Sequence, residues 1–313
     1  MRVLKSLACA AISFGAFATS FAAPLSGNAK QAIPYDIQQI IQVDYRVLNG
    51  SPTALALKEK LMPPQLQNLE KSLRHAGLND AQDVDDLSFV LYRAKGGPLQ
   101  LLGIAEGNIP TRKLTLNLKK QKIKPTSYND MDIYPMSNGM NFVMLDPSTM
   151  VFGDSSVVKQ AIRAYTGQER NASYNAAIMD ELASVQNEPM WSVLDAQGTQ
   201  TMMRSALGDA AGLADYETIK KRLLGSRYTM EFGNGVKFNL TVKTTDSFSA
   251  ATLSSLMRAG AMYKRDSGTP EEKAAVESLN VNSSGSDLLL RFEADNQKFV
   301  SLLNSPMFQA VSR

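Results

Sequence analysis

The chain has 313 residues, with 33 lysines and arginines against 30 acids, one histidine and one cysteine. A formal net charge of +3 gives no global field toward nucleic acid or an anionic membrane, so only a local patch could supply one. One histidine and one cysteine cannot build a zinc site of the usual Cys and His ligands.

The N-terminus reads as an export signal. Arg2 and Lys5 precede an apolar run from Ser6 to Ala18, and Ser20 and Ala22 frame a small-x-small cleavage site around Phe21. Residues 1–22 are therefore expected to be removed. The apolar stretch before Cys9 is too short for a lipoprotein box, and Ser13, Gly15, Thr19 and Ser20 interrupt a run that falls short of the ~20 residues needed to span a bilayer. Removing Arg2 and Lys5 leaves 31 basic against 30 acidic side chains, and removing Cys9 leaves no thiol. Disulfides, thiolate nucleophiles and iron–sulfur sites are then excluded from the mature chain. The expected location is the periplasm or the extracellular space, with no membrane span after signal removal. A chain of about 290 residues can bury enough apolar surface to fold without disulfides.

Residues 23–34, small and polar, read as a flexible leader. The first α+β lobe is expected over 35–166. Val43–Leu48 is strand-patterned, and Ser51 with Pro52 opens a helix that Pro63 and Pro64 must end. A second helix carries Leu66, Leu69 and Leu73 and stops at Gly77. A hairpin follows, from Leu87–Tyr92 through Lys95–Pro98 into Leu99–Ala105. After Ile109 and Pro110 a helix is expected with Leu114 and Leu118 inward, although the alternation of Leu114, Leu116 and Leu118 suits a strand as well. Strands follow around Met131–Tyr134, Asn141–Leu145 and Thr149–Phe152, then a helix capped by Asp154 or Ser155.

Residues 167–188 read as a linker, and a second α+β lobe is expected over 189–313. Met190–Leu194 opens it, and Ala196–Thr199 turns into a helical region running to Leu224 and Gly225. A hairpin over Tyr228–Val242 turns at Gly233–Gly235, where Asn234 and Gly235 offer tight-turn chemistry. A helix capped at Asp246 or Ser247 carries Leu253, Leu256, Met257 and Met262 inward. Strands at Leu279–Asn282 and Leu288–Phe292 and a helix over Asn296–Leu303 close the chain. The order strand, helix, hairpin, helix, strand occurs twice. The expected fold class is therefore α+β: two tandem β-α-β-β-α-β (split βαβ) lobes with mostly antiparallel sheets and helices on one face.

That layout resembles families of uncharacterised exported bacterial proteins built from two such lobes. The turn Gly107–Pro110 into a helix, the strand-to-helix turn Val151–Asp154, the link Leu78–Asp86 and the run Met190–Ser192 carry the resemblance. It covers most of the mature chain and implies no reaction, so no functional residue is transferred.

The chemistry-bearing residues are few. His75, at a helix end away from the leucine stripe, lacks a nucleophile or co-ligand and reads as a surface residue at the negative helix terminus. Asp80, Asp83, Asp85 and Asp86 crowd one link without the spacing or central glycine of a calcium loop, and read as turn formers. No phosphate loop, nucleophile elbow or metalloprotease motif is present. Trp191 and the methionines read as core. Arg112, Lys113, Lys119, Lys120, Lys122 and Lys124 form the single real basic patch, interleaved with Leu114 and Leu118. Such a segment suits an anionic lipid, a polysaccharide or an acidic protein; stacking aromatics for nucleic acid are missing. The expected function is non-enzymatic binding or scaffolding in the bacterial cell envelope, with no cofactor and no metal site. The alternative is a carboxylate-dependent hydrolase, for which Glu231 with Asp44 or Asp195 is the kind of pair that would have to converge.

Overall fold

Among the described residues, twelve strands pair antiparallel into one continuous sheet. The computed structural model describes residues 24–61, 67, 70, 71, 74, 77, 78, 80–94, 97–136, 139–207 and 216–303. The signal segment, His75 and the leucine stripe of the second expected helix lie outside them. The strands are β1 (Ile37–Asp44), β2 (Asp86–Arg93), β3 (Leu99–Glu106), β4 (Thr126–Tyr128), β5 (Met131–Pro135), β6 (Asn141–Asp146), β7 (Thr149–Gly153), β8 (Met190–Asp195), β9 (Leu223–Phe232), β10 (Gly235–Thr244), β11 (Leu279–Ser284) and β12 (Asp287–Asp295). The helices are α1 (Gly27–Ala32), α2 (Tyr45–Gly50), α3 (Pro52–Leu61), α4 (Asp80–Asp83), α5 (Thr111–Lys120), α6 (Ser155–Tyr165), α7 (Ala176–Ala183), α8 (Ala196–Leu207), α9 (Tyr216–Ile219), α10 (Ser247–Ser267), α11 (Pro270–Glu277) and α12 (Asn296–Leu303).

The protein is mixed α and β and its strands run antiparallel, as expected, but the two halves share one sheet. β1 and β8 pair at its centre, with Ile41 opposite Ser192. Outward from that pair the order is β1-β2-β3-β7-β6 on one side and β8-β9-β10-β12-β11 on the other. The same strand order therefore recurs, and β4 and β5 extend only the first side.

Helices cover both faces of the sheet, not one. Side-chain direction alternates along a strand, so Ile40, Val90, Leu102, Ile104, Val151 and Val193 point to one face. There they pack with α1, α6 and α7. The opposite face carries Ile41, Phe89, Phe142 and Phe152 under α2 and α5, then Leu240, Val242 and Leu290 under α8, α9 and α10. α3 and α12 close that face around Val236 and Phe299. On the first face, β10 and β12 present Lys237, Arg291 and Glu293 to solvent, the alternation of an antiparallel sheet wet on one side.

Several local readings need correction. The leader is not loose from Pro24 onward: Ser26 caps α1, and Leu25, Ala29, Ala32 and Ile33 are buried. β1 ends at Asp44, because the Asp44 side chain accepts from the Arg46 and Val47 N–H groups and starts a helix where strand was expected. The linker contains a 3₁₀ turn (Ala172–Tyr174) and α7. The helical region before β9 ends at Arg222, and Met262 faces solvent. At the β9–β10 turn the positive φ falls on Gly235 alone, where a Cβ would sit 2.1 Å from the Ala294 carbonyl oxygen.

Candidate functional site

The basic segment folds as an amphipathic helix, which settles the helix-or-strand ambiguity. Gly107 turns the chain out of β3 at a point where any Cβ would lie 2.4 Å from the Asp83 carbonyl oxygen. α5 then follows, with Leu114 and Leu118 buried against Val84, Phe142 and Met150. Its end is a Schellman motif: the Ile123 N–H donates to the Leu118 carbonyl and the Lys122 N–H to the Lys119 carbonyl, both at 3.0 Å. Lys122 occupies the left-handed position usually given to glycine, at φ 59°. Ile123 packs in the same cluster as Leu118 and completes the motif.

All six basic residues are exposed, and Arg112, Lys113, Lys119 and Lys120 stand on α5 itself. Lys122 and Lys124 continue the charge past its C-terminus. None of the six has an ion-pair partner among the described residues. Lys119 and Lys120 lie in the last turn, where the helix dipole favours cations. Arg112 and Lys113 lie in the first turn, which holds no acid, so there the dipole opposes them and adds to their positive potential. Lys113, Leu116 and Lys120 recur at helical spacing on the outward side, and Leu116 is 52% exposed. With Pro110, Arg112 and Asn117 they line a shallow depression of about 520 Å³. The arrangement offers exposed cations around one apolar contact, suited to an anionic surface.

Asp195 accepts from the Gly198 N–H and pairs with Arg93 at 2.8 Å. Asp44 sits at the other end of β1, in the row that runs through Pro189 toward Glu231. Glu231 and Glu293 flank Lys237 across three strands, beside Asp295 in an open depression on the wet face. Asp80 and Asp83 belong to α4, and Asp85 lies 3.5 Å from Arg46.

Asp86, expected from the sequence to be a turn former, belongs to the core. Asp44, Asp86 and Glu106 stand side by side on β1, β2 and β3. Asp44 is 0% and Asp86 4% exposed. Burial, then the neighbouring Asp44 charge, pushes the Asp86 carboxyl up to about 7 against the pull of the Gln42 hydrogen bond and of Arg46. Burial also raises Glu106, partly offset by hydrogen bonds from Ser26. A clue was present in the sequence, since Asp86 is in phase with Ser88, Val90 and Tyr92 on β2. That alternation does not tell the dry face from the wet one.

The fold and the α5 surface together define a helix-clad antiparallel sheet with an exposed basic helix. No protein-family model and no curated protein matches the chain. Among solved structures the chain is similar to TP0453 in its crystal form I, with a TM-score of 0.51 and 8% identity over 88% of this chain and 95% of that one. Crystal form IV of TP0453 aligns with a TM-score of 0.48 and 10% identity over 90% and 96% of the two chains. At such identity the likeness is one of fold alone. No described helix is long and apolar enough to cross a membrane, and no described group of three or more His, Cys, Asp or Glu residues could hold a metal ion.

Proposed function

We propose that this is an exported protein of the bacterial cell envelope that binds an anionic envelope component through α5, without catalysis. The observation that carries the reading is α5 and the turn that follows it, with four exposed cations on the helix and two just beyond, all lacking ion-pair partners among the described residues, beside the exposed Leu116. A purely solvated helix would normally interleave acids with its lysines, which strengthens the helix by neighbouring-turn pairs; α5 has none. Export rests on Arg2, Lys5, the apolar run and the Ser20–Ala22 cleavage site. The recurring strand order supports descent of residues 35–166 and 189–313 from one duplicated unit, later fused through β1 and β8.

The test uses the mature chain and a variant with Arg112, Lys113, Lys119, Lys120, Lys122 and Lys124 all changed to Gln. Cosedimentation with vesicles containing phosphatidylglycerol is compared with neutral phosphatidylcholine vesicles, alongside retention on a polyanionic polysaccharide. Salt-sensitive binding to either anionic probe, lost in the variant, supports the reading. Equal retention of both chains removes α5 from the function.

A further inference from the structure

Three polar atoms in the core point to a second site, unrelated to α5. Trp191 Nε1, Ser88 Oγ and Asp44 Oδ2 are buried and have no hydrogen-bond partner among the described residues. They lie close together on one face: Trp191 and Ser88 flank Gln42 on β8 and β2, and Asp44 is the next residue on that face of β1. Asp86 stands directly opposite Asp44, and Gln42 Nε2 donates to Asp86 Oδ1 at 3.3 Å. Buried polar groups are rarely left unmatched, and a lone carboxylate oxygen in a dry site calls for a donor.

We propose that Asp44 and Asp86 hold one proton between them, carried on Asp86 and donated to Asp44 Oδ2, so that the junction of β1 with β2 and β8 is a buried proton site.

The surrounding charges favour this assignment. Asp44 Oδ1 accepts from the Arg46 and Val47 N–H groups at the start of α2, which leaves Oδ2 as the remaining acceptor on Asp44. The cation beside the pair is Arg46, half exposed and 3.5 Å from both Asp44 and Asp85. Glu106 adds a third acid on β3, and Lys30 of α1 acts on Glu106. Two carboxylates at directly paired strand positions, side by side and buried, ionise together only against their mutual repulsion, which favours a proton held between them. The same residues fasten the junction, since the Asp44 N–H donates to the Pro189 carbonyl and the Tyr45 N–H to the Asp85 carbonyl, each at 2.7 Å. Loss of the proton would place like charges between those two bonds.

The sign follows from Asp86. Its carboxyl is raised to about 7 in the folded chain, above its ordinary value of about 4. Its stabilising contribution is complete below about pH 4 and disappears as pH rises through about 7. Carbon-detected NMR titration of the mature chain should show one aspartate carboxyl titrating near pH 7, absent in Asp86→Asn. Amide protection at Asp44 and Tyr45 should fall tenfold or more from pH 6 to about pH 8.5 in the wild type, and stay level in the variant. If every aspartate titrates below about pH 6 in the wild type, the proposal is overturned whether or not Asp86→Asn folds. A rise in Tm at alkaline pH on adding calcium, seen only when Asp86 is present, would also overturn it, by showing a cation in place of the proton.

Discussion

Glu181 of α7 reaches across to the wet face of the sheet, where its Oε2 accepts from Arg227 Nη1 at 2.6 Å while its Oε1 meets Lys243 Nζ at 2.5 Å. One largely buried carboxylate thus ties α7 to β9 and β10, although α7 otherwise packs on the apolar cluster of the first half of the sheet. Glu181→Ala should lower stability by about 1.5–3 kcal/mol, the range for charge-assisted hydrogen bonds. Urea unfolding reads this directly. A change within error would mean that α7 is held by Ile178 and Leu182 alone.

The Schellman end of α5 makes a prediction that separates its fold from its charge. Lys122→Gly removes the left-handed strain at φ 59° and should stabilise the chain by about 0.5–1 kcal/mol. Binding to anionic vesicles should weaken only slightly, since five cations remain. A loss of stability would show that the Lys122 side chain contributes packing that outweighs its backbone cost.

Neutralising Lys113 and Lys120 together tests the outward stripe more narrowly than the six-residue variant. Thermal unfolding should be unchanged within about 0.5 kcal/mol, as for other surface substitutions. The salt slope of vesicle binding should flatten by about two charges' worth. An unaltered slope would assign the electrostatic contact to the C-terminal lysines instead.

Gly103 is a packing prediction. A Cβ there would lie 1.9 Å from the Phe152 ring, which is itself set edge-on to Phe89 at 6.3 Å. Gly103→Ala should cost about 1–3 kcal/mol by overpacking. In a double-mutant cycle, Phe152→Leu should recover part of that cost, because the smaller side chain yields the space. Strict additivity would sink the steric explanation.

Asp246 gives a pH dependence of the opposite sense to Asp86. Hydrogen bonds from the Ser249 N–H, Thr245, Ser249 Oγ and Arg222 hold its carboxyl well below the usual range. A depressed folded value means that its contribution is present above about pH 4 and lost as pH falls below that. Asp246→Asn should therefore lower Tm at neutral pH and converge with the wild type near about pH 2. A constant gap across that range would show that cap geometry, not charge, holds the start of α10.

Local chemistry was legible wherever a single segment decides its own shape. Pro52 at a helix start, a cap at Asp246 or Ser247 and the two hairpins follow from short-range sterics and periodicity, whereas the leucines of α5 left helix and strand both open. The positions of the six basic residues were legible as well. What the letters could not decide depends on contacts between distant segments. β1 pairs with β8 across some 150 residues, and only that pairing merges the expected two sheets into one. Strand periodicity marks two faces but not which will be covered, so Asp86 in the core and Lys237 in solvent carry the same alternating signature. Asp44 does belong to a strand, but that the strand stops there depends on its side chain capping α2, and its burial depends on its neighbour on β2. Burial is a property of what lies opposite, and that is settled only when the whole sheet has closed.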